Sequence, residues 1–383
     1  MTAMMRDLRS QELLAARAAP KLRGQTVTIS GVSKRYGAVR AVEDVSIEVG
    51  AGEFLSLLGP SGSGKTTLLM MIAGFESATE GSIRVGDRDL TYVPPNERGI
   101  GMVFQKYALF PHMTVAQNIA FPLKMRKLAK AEIAERVRRA LSLVRLDDYD
   151  HRMPSQLSGG QQQRIAVARA TVLEPPVLLM DEPLGALDKK LREHMQLEIK
   201  RIHRELGVTV LYVTHDQEEA MTMSDRICLM RNGRIEQVGT PRELYIEPAS
   251  VYAADFLGES NLVVGTHCGE GEVELASRAD SLRLRGKPRV DVPAGRNVRC
   301  LIRPEAIRLL GPAERADNEI AATIVDATLA GGVTRYLLGA ADGLELRATV
   351  LSAGTDAQHA VGAQVRAGFE RDNVRILDES TAG

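Results

Sequence analysis

The stretch GPSGSGKTT, Gly59 to Thr67, follows the apolar run Phe54 to Leu58 and restricts what this 383-residue chain can fold into more than any other feature. Gly59, Gly64, Lys65 and Thr66 stand at the fixed places of the G-x-x-x-x-G-K-[ST] pattern. A strand, a loop and a helix start therefore fall in the order of an α/β P-loop fold. Glycines at 59, 62 and 64 let backbone N–H groups turn inward on phosphates, Lys65 can reach the β and γ groups, and Thr66 can hold Mg²⁺. Pro60, Ser61, Ser63 and Thr67 complete the loop, and the helix that starts there adds its positive dipole end.

Two later motifs extend this reading. The apolar run Val177 to Met180 follows Pro175 and Pro176 and ends in Asp181 and Glu182, the pattern of a buried parallel strand with carboxylates at its C-terminal edge. Ligands of open α/β sheets bind at that edge. Asp181 is placed to hold Mg²⁺ through its water shell, and Glu182 to orient and deprotonate an attacking water. The segment LSGGQQQR, Leu157 to Arg164, is a second glycine-rich helix start. One nucleotide does not need two such anion sites.

With these three motifs the chain resembles the ATP-binding-cassette family over roughly residues 25 to 240. The resemblance implies that Ser158, Gly159, Gly160 and Gln161 of one copy cap the γ-phosphate held by the P-loop of another, so that the chain works as a homodimer. It further implies that Tyr36 stacks on adenine, that Gln105 contacts Mg²⁺ and water, that His215 steadies the γ-phosphate and water, and that Asp188 crosses the dimer interface. Gly185 and Thr171 depart from the common family residues, Ser and Leu, without removing a catalytic group.

The length makes two domains the expectation. No stretch approaches 18 consecutive apolar residues. Lys plus Arg and Asp plus Glu both number 49, which argues against a dedicated nucleic-acid binder. Cys228, Cys268 and Cys300 are widely spaced and read as free thiols. In the first 24 residues Asp7, Glu12 and Arg17 interrupt any signal-like apolar region, and the segment reads as a frayed extension or a short amphipathic helix.

Residues 25 to 58 alternate as strands do, whereas about 113 to 160 switch to helical periodicity, with Ile133, Val137, Leu141 and Val144 on one face. This insert fits the helical subdomain of cassette ATPases. Tyr107, Phe110 and Pro111 sit where importer relatives dock a membrane subunit, so an aromatic notch is one reading and inward packing the other. Residues 241–259 read as a linker and 260–383 as an all-β domain, in which five or six short strands and a Gly331-Gly332 hairpin suggest an OB-like barrel. Residues 259–383 carry 15 Lys and Arg against 18 Asp and Glu and few aromatics, a poor groove for nucleic acid.

The run IRPEAIRL, Ile302 to Leu309, resembles the tail domain of maltose- and polyamine-type importers, and FLGESN, Phe256 to Asn261, resembles the polyamine group. The expectation is therefore an ATP- and Mg²⁺-dependent importer ATPase for spermidine or putrescine. It would be peripheral to the cytoplasmic face of the inner membrane, under transmembrane permease subunits, and served indirectly by a periplasmic or extracellular substrate-binding protein. Iron(III), phosphonate or sugar import, an exporter ATPase, and a soluble cassette ATPase acting on nucleic acid or ribosomes are the alternatives.

Overall fold

Phe54–Leu58, Val177–Asp181 and Thr209–Thr214 are buried at every residue. Apolar runs without alternation suit strands covered on both faces, and all three lie in one largely parallel sheet. A computed structural model of the chain describes residues 24–185, 187–275, 282–289, 292–352 and 359–378. The expected extension, residues 1–24, lies outside these apart from Gly24. Two compact units divide the chain, Met1–Pro241 and Arg242–Gly383.

The strands of the first unit are β1 (Val27–Tyr36), β2 (Val39–Val49), β3 (Phe54–Leu58), β4 (Glu80–Val85), β5 (Arg88–Asp89), β6 (Gly101–Val103), β7 (Val177–Asp181), β8 (Thr209–Thr214), β9 (Arg226–Arg231) and β10 (Arg234–Gly239). Its helices are α1 (Lys65–Ala73), α2 (Val115–Met125), α3 (Lys130–Leu143), α4 (Gly159–Thr171), α5 (Lys189–Leu206) and α6 (Gln217–Met223). The large sheet runs in the order β10, β9, β3, β8, β7, β6, and an antiparallel sheet in the order β2, β1, β4, β5. Leu68, Leu69, Met71 and Ile72 of α1 pack between the two, against Leu55 and Leu211 on one side and Val27 and Ile83 on the other.

The opposite face of the large sheet, Phe54, Leu178, Met180 and Tyr212, is covered by Ile119, Leu141, Ile165, Met195 and Ile199 from α2 to α5. On α3, Val137 and Leu141 are buried while Glu132 and Arg136 pair on the outside at 2.8 Å, as the helical period predicts. Register fixes the site. Leu58 lies beside Thr214, Val213 beside Asp181, and Met180 beside Val103, so the C-terminal ends of β3, β8, β7 and β6 share one edge.

In the second unit, α7 (Pro241–Ile246) and α8 (Val251–Phe256) occupy the expected linker; Val251 and Ala254 pack on Leu301 and Leu377. The strands that follow are β11 (Asn261–Gly269), β12 (Glu272–Leu275), β13 (Arg283–Arg285), β14 (Lys287–Pro288), β15 (Asn297–Ile302), β16 (Arg308–Leu309), β17 (Asn318–Ala330), β18 (Val333–Ala340), β19 (Glu345–Leu351), β20 (Gln364–Phe369) and β21 (Val374–Asp378). They form two sheets, β13, β12, β11, β15, β21, β14 and β16, β20, β17, β18, β19. Val298, Cys300 and Ile376 of one share a core with Ile320, Leu338 and Ala367 of the other.

The strands thus exceed the five or six expected. Gly265 and Gly269 interrupt β11, and β13, β14 and β16 are too short to show alternation in sequence. The Gly331-Gly332 hairpin joins β17 to β18, with Ala330 paired to Val333 and Gly331 at φ 67°.

Candidate active site

The loop after β3 is shaped by what its glycines permit. A Cβ on Gly59 would fall 2.3 Å from the Met230 carbonyl oxygen. Gly64, the residue before α1, has φ 96°, and a Cβ there would lie 2.5 Å from Ala41 O. Only glycine meets both demands at 64, a left-handed backbone and close approach to the β1–β2 hairpin. Pro60, Ser61, Gly62 and Thr66 are exposed at the mouth of the loop, whereas Ser63 and Lys65 are buried.

Lys65 Nζ donates to Gly59 O and Pro60 O, each at 2.8 Å. Burial lowers the pKa of this ammonium, against the opposing pull of Glu182 and Asp181. A third contact, to Ser63 Oγ at 3.4 Å, takes up the last of the ammonium's three donors within the loop, so that an anionic oxygen would bind by exchanging for these loop acceptors. Thr66 Oγ1 donates to Asp181 Oδ1 at 3.1 Å, which brings the first turn of α1 to the end of β7. Burial pushes the Asp181 carboxyl up, and the Thr66 hydrogen bond works against that.

Glu182 stands one residue beyond β7 at φ 42°, a left-handed conformation that costs a non-glycine residue about 1–3 kcal/mol. Its N–H donates to Val213 O at 3.1 Å, which holds it there. Its carboxylate is half-buried between two side chains. Gln105 Nε2 donates to Oε2 at 3.1 Å, and His215 Nδ1 lies 3.2 Å from Oε1. Gln105, Glu182 and His215 follow β6, β7 and β8 and make one row at the strand ends.

Residues 42–185, which include the loop, the row's first two members and the second glycine-rich helix start, match the family model described as ABC transporter; residues 300–377 match a TOBE domain. The spermidine/putrescine import ATP-binding protein PotA of Rubrobacter xylanophilus is 51% identical over 320 residues, 83% of this chain and 84% of that protein. PotA of Marinobacter nauticus is 46% identical over 331 residues, 84% of this chain and 87% of its own. The chain belongs to the ABC transporter ATPases.

Among solved structures, the dimeric post-hydrolysis state of the ATP-binding cassette MJ0796 bound to ADP and Pi covers 56% of this chain and 99% of its own, with TM-score 0.51 and 34% identity. A second dimeric structure of MJ0796 matches with TM-score 0.51 and 35% identity. The chain is therefore an ATPase with an ABC cassette fold followed by an all-β TOBE domain.

In this ABC ATPase the helix start at 158–161 is built as a capping box. Gln161 N–H donates to Ser158 Oγ at 3.3 Å, and Ser158 N–H donates to Gln161 Oε1 at 2.9 Å. Ser158 and Gly159 are exposed, while a Cβ on Gly160 would press on Leu191 at 3.1 Å. Among the described residues no hydrogen bond joins 158–161 to the P-loop of the same chain. Asp188 caps α5, accepting from Leu191 N–H at 3.0 Å. Tyr36 ends β1, is 47% exposed as a residue, and has Lys34 Nζ 4.9 Å from its ring centroid.

The segment after Gln105 packs inward more than an open notch would. Tyr107 is buried, and Phe110 packs against Phe121 with centroids 4.7 Å apart and the rings tilted by 50°. Tyr107 and Ala108 have φ 60° and 48°, and Arg169 of α4 donates to both carbonyls at 2.9 and 2.8 Å. Motif reading did not single out Arg169, nor Arg192 on α5. A lone arginine on a helix reads as solvated, and only the fold shows which carbonyls and carboxylates it reaches.

Proposed function

We propose that the chain is the ATP-hydrolysing subunit of a polyamine importer, acting as a homodimer at the cytoplasmic face of the inner membrane beneath permease subunits supplied by a substrate-binding protein. The row Gln105, Glu182, His215, set on adjacent strand ends beside the P-loop, carries the hydrolytic part. The spermidine/putrescine assignment rests on the named relatives and on FLGESN, Phe256 to Asn261.

Backbone N–H groups of residues 61–67 and Lys65 cradle the β- and γ-phosphates, and the exposed side chain of Tyr36 takes the adenine. Thr66, Asp181 and the amide oxygen of Gln105 offer a hydroxyl, a carboxylate and a carbonyl, the hard oxygen donors that Mg²⁺ prefers, with phosphate and water completing its shell. When bound, the ion neutralises charge on the phosphoryl oxygens. Glu182 accepts the proton of the attacking water, and His215 and Gln105 keep its carboxylate aimed. The distance of 158–161 from hydrogen-bonding reach of its own loop supports a site completed by Ser158, Gly159, Gly160 and Gln161 of a second copy, with Asp188 at the interface.

Glu182→Gln tests the chemistry. Turnover should fall by about 10²–10⁴-fold while ATP binding persists; near-normal turnover would remove Glu182 from its role. The same tagged variant, captured with ATP from detergent-solubilised membranes, should bring a permease pair with it. Reproducible capture of soluble or ribosomal partners alone would overturn the transporter assignment. A deletion strain with no compensating system should lose uptake of labelled putrescine or spermidine, and unchanged uptake of both would overturn the cargo.

A further inference from the structure

His215 is flanked by two residues that a buried network holds. Thr214, the last residue of β8, donates through Oγ1 to Glu219 Oε2 at 2.8 Å and accepts from Asp216 N–H at 3.0 Å. Tyr212 OH donates to the same Glu219 oxygen at 2.7 Å. Asp216 in turn caps α6, its Oδ1 accepting from Glu219 N–H at 3.2 Å. Strand end, His215 and helix start therefore form one braced turn.

Arg192 reaches this turn from another element. It lies in the first turn of α5, just after the Asp188 cap, and donates through Nη1 to Asp216 Oδ2 at 2.9 Å. Its Nη2 donates to Leu187 O at 3.1 Å. Its buried Nε has no hydrogen-bond partner and faces Glu219 Oε1 at 3.7 Å, an ion-pair distance. One guanidinium thus spans the backbone beside Asp188, the residue after His215, and a buried carboxylate under the strand end. Its side chain also helps line a cavity of about 10 Å³ shared with Glu182, Gly185 and His215. A bridge of this kind fixes the distance between the 187–188 segment and His215, and through His215 the aim of Glu182.

We propose that Arg192 is a positioning residue for hydrolysis, transmitting the placement of the Leu187–Asp188 segment to His215 and Glu182 through Asp216. This rests on the roles given above to Glu182 and His215. A purely structural ion pair would lower the melting temperature when broken and leave turnover at lower temperature intact. A positioning residue lowers kcat without weakening ATP binding.

The full-length chain carries the test, with kcat and KM for ATP measured well below the melting temperature of each variant. Arg192→Met should lower kcat about ten- to a hundredfold, the size of loss a small misplacement produces, with KM changed by no more than about twofold. Asp216→Asn keeps a good helix cap and should give a kcat loss of the same kind. The double variant should be no worse than Arg192→Met, because the two act as one unit. Should Arg192→Met fail to fold, Arg192→Lys, which keeps the charge but not the fork, should show a smaller kcat loss at unchanged KM. Wild-type kcat in the folded variant, a KM rise equal to the kcat fall, or additive losses would each overturn the inference. Glu182→Gln assayed alongside separates the two failures. An inactive Glu182→Gln beside a fully active Arg192→Met sinks only Arg192, whereas an active Glu182→Gln sinks the hydrolytic reading beneath both.

Discussion

At the scale of single residues, the roles proposed above separate groups that bind from groups that react. Tyr36 touches neither the P-loop carbonyls nor the strand-end carboxylates by hydrogen bond, and its half-exposed ring offers a face to stack against. Tyr36→Ala should therefore raise KM for ATP about tenfold at nearly unchanged kcat, since stacking a base on an aromatic ring contributes about 1–3 kcal/mol. A matching loss in kcat would place Tyr36 in the reaction instead. Lys65, Asp181 and Glu182 could be picked from motif chemistry beside an apolar strand, whereas Tyr36, Gln105 and His215 could be picked only through the family resemblance, since a lone Tyr or a strand-end His ordinarily packs or caps. The left-handed backbone of Glu182 could not, for a glutamate carries no sign of it. The S-x-x-Q spacing of Ser158 and Gln161 does announce their capping box, which occupies one N–H group of a helix start that motif reading offers to phosphate.

At the scale of elements, long side chains supply joints that hydrophobic pattern leaves unseen. Arg303 in the IRPEAIRL run is buried, and its guanidinium donates to Tyr245 O at 2.9 Å, Ala254 O at 3.0 Å and Ser260 Oγ at 2.6 Å. It also lies 4.0 Å from the Tyr245 ring centroid. This clamp explains why residues 241–259, rich in breaks and read as a linker, fold as α7 and α8 against the β-unit. Arg303→Met keeps the stem but leaves these acceptors unpaired, so it should lower the unfolding free energy of the second unit by about 2–4 kcal/mol. Urea titration should show the earlier midpoint, and proteolysis should cut sooner between 241 and 259. An unmoved midpoint would mean that the helices hold without the clamp. Arg169 works similarly between α4 and the left-handed pair Tyr107 and Ala108, and it too is silent in sequence.

At the scale of the molecule, each unit carries a buried thiol in its core, Cys228 in the first and Cys300 in the second. Burial pushes both from the usual 9.0 up to about 12. Tyr245 in the second unit is also pushed up to about 12, by burial and then by its hydrogen bond to Glu305. Between pH 9 and 12 the unfolded chain gives up these protons and the folded chain keeps them. The folded state then binds more protons than the unfolded one, so stability present in full below pH 9 declines as pH rises through 12. For a shift of this size the loss amounts to about 4 kcal/mol per thiol at the upper end. Each substitution to alanine leaves a small cavity, which lowers stability equally at all pH values, so the slope is the informative quantity. Cys228→Ala should reduce the alkaline slope of the first unit's unfolding transition only in part, because burial also pushes Tyr212 and Tyr107 up there, and should leave that of the second unchanged. Cys300→Ala should reduce the slope of the second unit only in part, because Tyr245 continues to titrate there. Identical slopes in the parent chain and both variants would show that the thiols ionise as freely in the folded cores as in the unfolded chain, and that neither core excludes water.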